Sequence, residues 1–160
     1  MRGDLFAAIA ASIAFFSVMP QASADDDGFD CRYVGPNVLE PLGDRDGHGL
    51  HVIEISCTVT IGPLTGGTLT ATLIWEADKN VGKLLAASGV IRKPGATAVY
   101  QLSDGKSQLV IKDGKIVDAN ASGHGSYPFA VGDAAALNGK TFSFSSYSTG
   151  PGEFAIEVTR

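Results

Sequence analysis

Between positions 50 and 61 every second residue is apolar: Ile53, Ile55, Cys57, Val59 and Ile61 alternate with Glu54, Ser56, Thr58 and Thr60. A period of two puts the apolar set on one side of an extended chain, so this segment reads as a strand with one buried face. Gly62-Pro63 and Gly66-Gly67 interrupt it, after which Leu69, Ala71, Leu73 and Trp75 alternate with Thr68, Thr70 and Thr72, with Ile74 as the exception. A second strand, antiparallel to the first, is predicted. The rhythm continues over 84–92 up to Pro94-Gly95, over 97–102 up to Asp104-Gly105, and over 107–112 up to Asp113-Gly114. Asp-Gly suits turns that need positive φ, so 103–106 and 112–115 are both predicted as tight hairpin connections.

Residues 116–125 read as a further strand, with Ile116, Asp118, Asn120, Ser122 and His124 on one face and Val117, Ala119, Ala121 and Gly123 on the other. The second face is apolar and small. It leaves room for a facing aromatic, a closely packed neighbour or a cavity. Phe142 and Phe144 alternate in the next strand and Phe154, Ile156 and Val158 in the last, all read as core. The one helical candidate is 132–138, capped by Asp133 and stopped by Gly139. About eight short strands at regular spacing with Gly-rich turns predict an all-β fold, preferably an antiparallel meander barrel, with a β-sandwich as the alternative. Closing a meander removes its exposed edges, which favours the barrel.

The chain begins differently. Arg2, an apolar run over 5–18, Pro20 and Ala22-Ser23-Ala24 have the order of a cleavable secretory signal, with cleavage after Ala24. The run is shorter than the roughly 20 residues that a helix needs to cross a bilayer. The expected product is a soluble domain over 25–160, secreted or periplasmic. Its two cysteines, Cys31 and Cys57, are then read as one disulfide. With 12 Lys+Arg against 17 Asp+Glu the formal charge is −5 and there is no basic stripe, so nucleic acid is not an expected partner. Asp25, Asp26, Asp27 and Asp30 are expected to form a solvated, frayed end.

The sharpest chemical candidate is a metal site made by the three histidines, His48, His51 and His124, if antiparallel neighbours bring them together. Separate hydrogen-bonded histidines are the plainer expectation. Asp44-Arg45-Asp46-Gly47 has the start of a calcium loop, but its twelfth position is Ile55, which cannot supply the bidentate carboxylate. No nucleophile elbow or CxxC motif occurs, and Glu54 and Glu76 fall on polar strand faces. The sequence therefore assigns no catalytic residue and no cofactor. The leading expectation is an exported binding or interaction protein whose barrel holds a small apolar ligand. A barrel-mouth isomerase or cyclase using His124 and a carboxylate, and a surface-acting structural or inhibitor-like domain, are the alternatives.

Overall fold

The computed structural model describes residues 26–113 and 115–160; the expected signal segment 1–24 lies outside them. Nine strands follow in chain order: β1 (Asp26–Tyr33), β2 (Glu40–Pro41), β3 (His48–Ile61), β4 (Thr68–Asp78), β5 (Val81–Lys93), β6 (Ala96–Lys112), β7 (Lys115–Gly132), β8 (Thr141–Gly150) and β9 (Glu153–Thr159). From β3 to β9 each strand pairs antiparallel with the next, and β1 lies between β9 and β3. The sheet thus closes into an eight-stranded antiparallel barrel, with β2 as a short extra strand on β3.

Alternation decides which side chains enter the barrel. Ile53, Ile55, Cys57 and Val59 of β3 and Leu69, Ala71, Leu73 and Trp75 of β4 all point into one core, as their period of two requires. Two of the expected turns are present. Pro94-Gly95 joins β5 to β6 with Gly95 at φ 80°, and Lys112 pairs with Lys115 across a turn in which Asp113 takes φ 51°.

Asp104-Gly105 is not a turn. β6 runs straight through it, and its pairing with β7 shifts register between Leu102 and Asp104. The glycine is there for a close approach: a Cβ on Gly105 would lie 3.1 Å from Cη2 of Trp75 and 3.2 Å from Cβ of Leu84. The small face of β7 serves all three purposes that its composition allows. Gly123 lets the β6 backbone at Asp104 come close, Gly125 leaves space for the Phe142 ring, and Ala119 and Ala121 border a cavity. Ile116 joins the buried set because the ladder shifts again between Val110 and Ile111. A Cβ on Gly123 would overlap the Asp104 carbonyl oxygen, so Gly123→Ala is expected to cost about 1–3 kcal/mol of unfolding free energy in urea, the usual cost of overpacking. Ser122→Ala, exposed next to it, should stay within about 0.5 kcal/mol.

One barrel end carries the β3–β4, β5–β6 and β7–β8 connections. A single 3-10 turn, Ala135–Leu137, replaces the expected longer helix, and it is capped by Ala134 with no side-chain hydrogen bond, so Asp133 is not its cap. Ala134 and Leu137 are buried there and belong to the same core cluster as Leu64 of the β3–β4 loop. Asp27 corrects the expectation of a frayed acidic end: it is 5% exposed within β1, accepting hydrogen bonds from the Tyr127 hydroxyl at 3.2 Å and from Arg160 at 3.1 Å. Burial pushes its carboxyl up, against the pull of Arg160 and the Tyr127 hydrogen bond.

Candidate functional site

The other end carries the 34–47 connection, the β4–β5, β6–β7 and β8–β9 turns, and a cavity of about 120 Å³ that extends into the barrel. Phe29, Ile53, Leu73, Trp75, Phe142 and Ile156 are among the side chains that make its wall apolar. An apolar cavity of about 150 Å³ accommodates one benzene ring, so this one is of single-ring size.

Its opening follows from the ladders. β7 and β8 pair only from Asn120–Tyr147 to Ser126–Thr141, so beyond Asn120 the two strands are not hydrogen-bonded to each other. Asp118, Ala119, Ser148 and Gly150 line the cavity at that split. Tyr33 stands across from them, its hydroxyl held above the ordinary tyrosine range by burial first and by the Asp118 carboxylate second. On the remaining side the 34–47 connection folds over the rim, where Leu39 packs on a small cluster of Ala77, Leu109 and Ile116.

That connection brings Asn37 to His51. The His51 side chain points inward with the odd-numbered residues of β3, is 4% exposed and lines the cavity. Its Nε2 donates to Oδ1 of Asn37 at 2.5 Å. Burial with no compensating charge pushes its pKa down to about 4, so the ring is neutral at pH 7. Deeper in, Tyr100 also faces the cavity, and burial raises its hydroxyl well above the ordinary value.

The three histidines do not meet. His48, an even-numbered residue of β3, faces outward, where its Nδ1 and Nε2 contact Oδ1 of Asp44 at 2.5 Å and Oε1 of Glu76 at 3.0 Å. Both nitrogens facing carboxylates require the imidazolium, and these two hydrogen bonds, that of Asp44 first, raise its pKa. His124 lies on the outer face of β7, four strands from β3 in either direction around the barrel, with its Nδ1 on Asp104 at 3.0 Å and both side chains exposed. Strands on opposite sides of a barrel cannot pool outward-facing ligands. Among the described residues no group of three or more His, Cys, Asp or Glu is placed to hold a metal ion. The His124–Asp104 pair is likewise outside the cavity that the barrel-mouth enzyme alternative needs. Cys31 and Cys57 do pair, forming a disulfide inside the barrel between β1 and β3.

No family model matches the chain, and no curated protein or solved structure matches it either. The site stands on its geometry alone.

Of the cavity's polar residues only His51 stands out in the sequence, as a metal-ligand candidate, while Tyr33, Asn37, Tyr100 and Asp118 do not. Tyr100 shares its parity with Ala98 and could have been placed inside by alternation, whereas nothing in the 34–47 connection marks Asn37.

The depressed pKa of His51 has a consequence for stability. Between its unfolded value of 6.5 and its folded value of about 4, the unfolded chain binds a proton that the folded chain does not. Stability from this residue is therefore complete above pH 6.5 and is lost as pH falls towards 4. At 1.36 kcal/mol per pK unit the full span is about 3 kcal/mol, and contact with the cavity mouth lowers it to about 2 kcal/mol. Urea titrations of the unaltered protein and His51→Leu at pH 7 and pH 4.5 should show the variant losing less stability between the two pH values. Equal losses would contradict the assignment.

Proposed function

We propose that this protein binds a small, largely apolar molecule of about single-ring size inside its barrel, and that it does so outside the cytoplasm. The observation that carries the reading is the cavity: about 120 Å³, walled by aromatic and aliphatic side chains and bordered at the split where β7 and β8 no longer pair. Closed barrels of this strand number are commonly filled by their own side chains, and here Ala119 and Ala121 leave one stretch of the cavity wall thin. The extracytoplasmic half rests on the Cys31–Cys57 disulfide, a bond that persists in oxidising compartments, and on the signal-like start of the sequence. Among the described residues no helix is long and apolar enough to cross a membrane.

Trp75 is the one tryptophan in the chain and borders the cavity, so it reports on occupancy directly. Titration with toluene, read by Trp75 fluorescence, is expected to give a saturable change. Ala121→Phe, which puts a ring into the space, should abolish it while leaving the fold intact by circular dichroism. A linear response, or a response unchanged in Ala121→Phe, would remove the reading.

A further inference from the structure

The polar groups around the cavity are unequal in what they can recognise. The hydroxyls of Tyr33, Tyr100, Ser146 and Ser148 can each give or accept a hydrogen bond, so they discriminate weakly. His51 is different. Its Nε2 proton is spent on Asn37, which fixes the tautomer and leaves Nδ1 as a lone pair with no protein hydrogen-bond partner among the described residues. No side-chain nitrogen or oxygen that is wholly shielded lacks a partner among those residues, so Nδ1 keeps some solvent contact, and the nearly buried ring that carries it lines the cavity. An acceptor held at the edge of an apolar chamber calls for a donor on whatever fills it, because a polar group buried without a partner is costly on either side.

We propose that the natural ligand is a neutral hydroxyl compound, a phenol or a ring-bearing alcohol, seated with its apolar body against Trp75 and its O–H donated to Nδ1 of His51. This rests on the binding function above and names the ligand's polar end. Charge argues for the neutral form: the mouth carries the Asp118 carboxylate, the formal charge of the chain is −5, and a neutral imidazole offers an anion no counter-charge. Cationic ligands lack a buried carboxylate at His51, since Asp118 is exposed at the rim.

The test compares phenol, toluene, anisole, benzoate and benzylammonium on the intact protein at pH 7, with Trp75 fluorescence excited at long wavelength or with calorimetry. Phenol is expected to bind at least as tightly as toluene, and more tightly than anisole, which cannot donate, and than benzoate. In His51→Leu the phenol hydroxyl is buried without an acceptor, so the phenol-to-toluene affinity ratio should fall roughly tenfold or more. A phenol-to-toluene ratio that is the same in both proteins overturns the proposal and leaves the binding function standing. Benzoate or benzylammonium binding more tightly than phenol overturns it too. If no compound binds the unaltered protein, both readings fall. Should His51→Leu not fold, phenol against anisole on the unaltered chain still decides, with anisole the tighter being the contrary result.

Discussion

Asp27→Ala is expected to lower the unfolding free energy by about 3–5 kcal/mol, the cost of removing one partner from a buried ion pair. Asp27 is 5% exposed and takes hydrogen bonds from Tyr127, itself 1% exposed, and from Arg160, so the change strips the carboxylate from a buried hydroxyl and a largely buried guanidinium together. The contact also joins the first described strand to the chain end beside β9, where the barrel closes. Guanidinium unfolding of Asp27→Ala, Asp27→Asn and the double variant Asp27→Leu/Arg160→Met would apportion the effect. Asparagine keeps an acceptor and should cost less than alanine. The double variant should be milder than Asp27→Ala, because burial already works against the ionised carboxyl. A loss below about 1 kcal/mol in Asp27→Ala would show that the cluster does not hold the seam.

Reduction of the Cys31–Cys57 disulfide is expected to cost about 3.5 kcal/mol on the chain-entropy estimate for a loop closed over a sequence separation of 26. The loop contains the 34–47 connection, the longest excursion between neighbouring barrel strands, so the bridge restrains the part of the unfolded chain that the ladders restrain least. β1 is hydrogen-bonded to β3 and to β9 along most of its length, so the reduced barrel should keep its strand content at low temperature and unfold earlier in denaturant. Urea midpoints with and without reductant, checked against the Cys31→Ser/Cys57→Ser pair, measure this. Retained stability on reduction would mean that the ladders alone fix the seam.

Much of the architecture is local in origin and so was open to reading. The alternation of β3 and β4 identified Ile53, Ile55, Cys57, Val59, Leu69, Ala71, Leu73 and Trp75 as inward, although Ile61, in the same alternation, is exposed at the strand end; Pro94-Gly95 and Asp113-Gly114 marked turns, and the even cysteine count matched the disulfide. Asp104-Gly105 was open to two meanings. The same dipeptide serves a hairpin or a close approach inside a strand, and what decides between them is the Trp75 ring lying over Gly105, a residue 30 positions earlier. Asp27 shows the same limit. Beside three other aspartates it looks solvated, and only Tyr127 and Arg160, more than 90 residues away, make it a buried acceptor.

By itself the sequence determined that this chain is all-β, which residues face inward along its regular strands, and where most of its turns fall, because each depends on a period of two and on the φ that a few residues tolerate. The tertiary structure alone decided that the eight-stranded barrel favoured by the strand pattern keeps a cavity inside, that His51 looks into it while His48 and His124 face outward, and that Asn37 orients the His51 ring. Those outcomes depend on which strands sit opposite one another around a closed barrel and on where register shifts fall, and neither quantity leaves a mark on any short stretch of the chain.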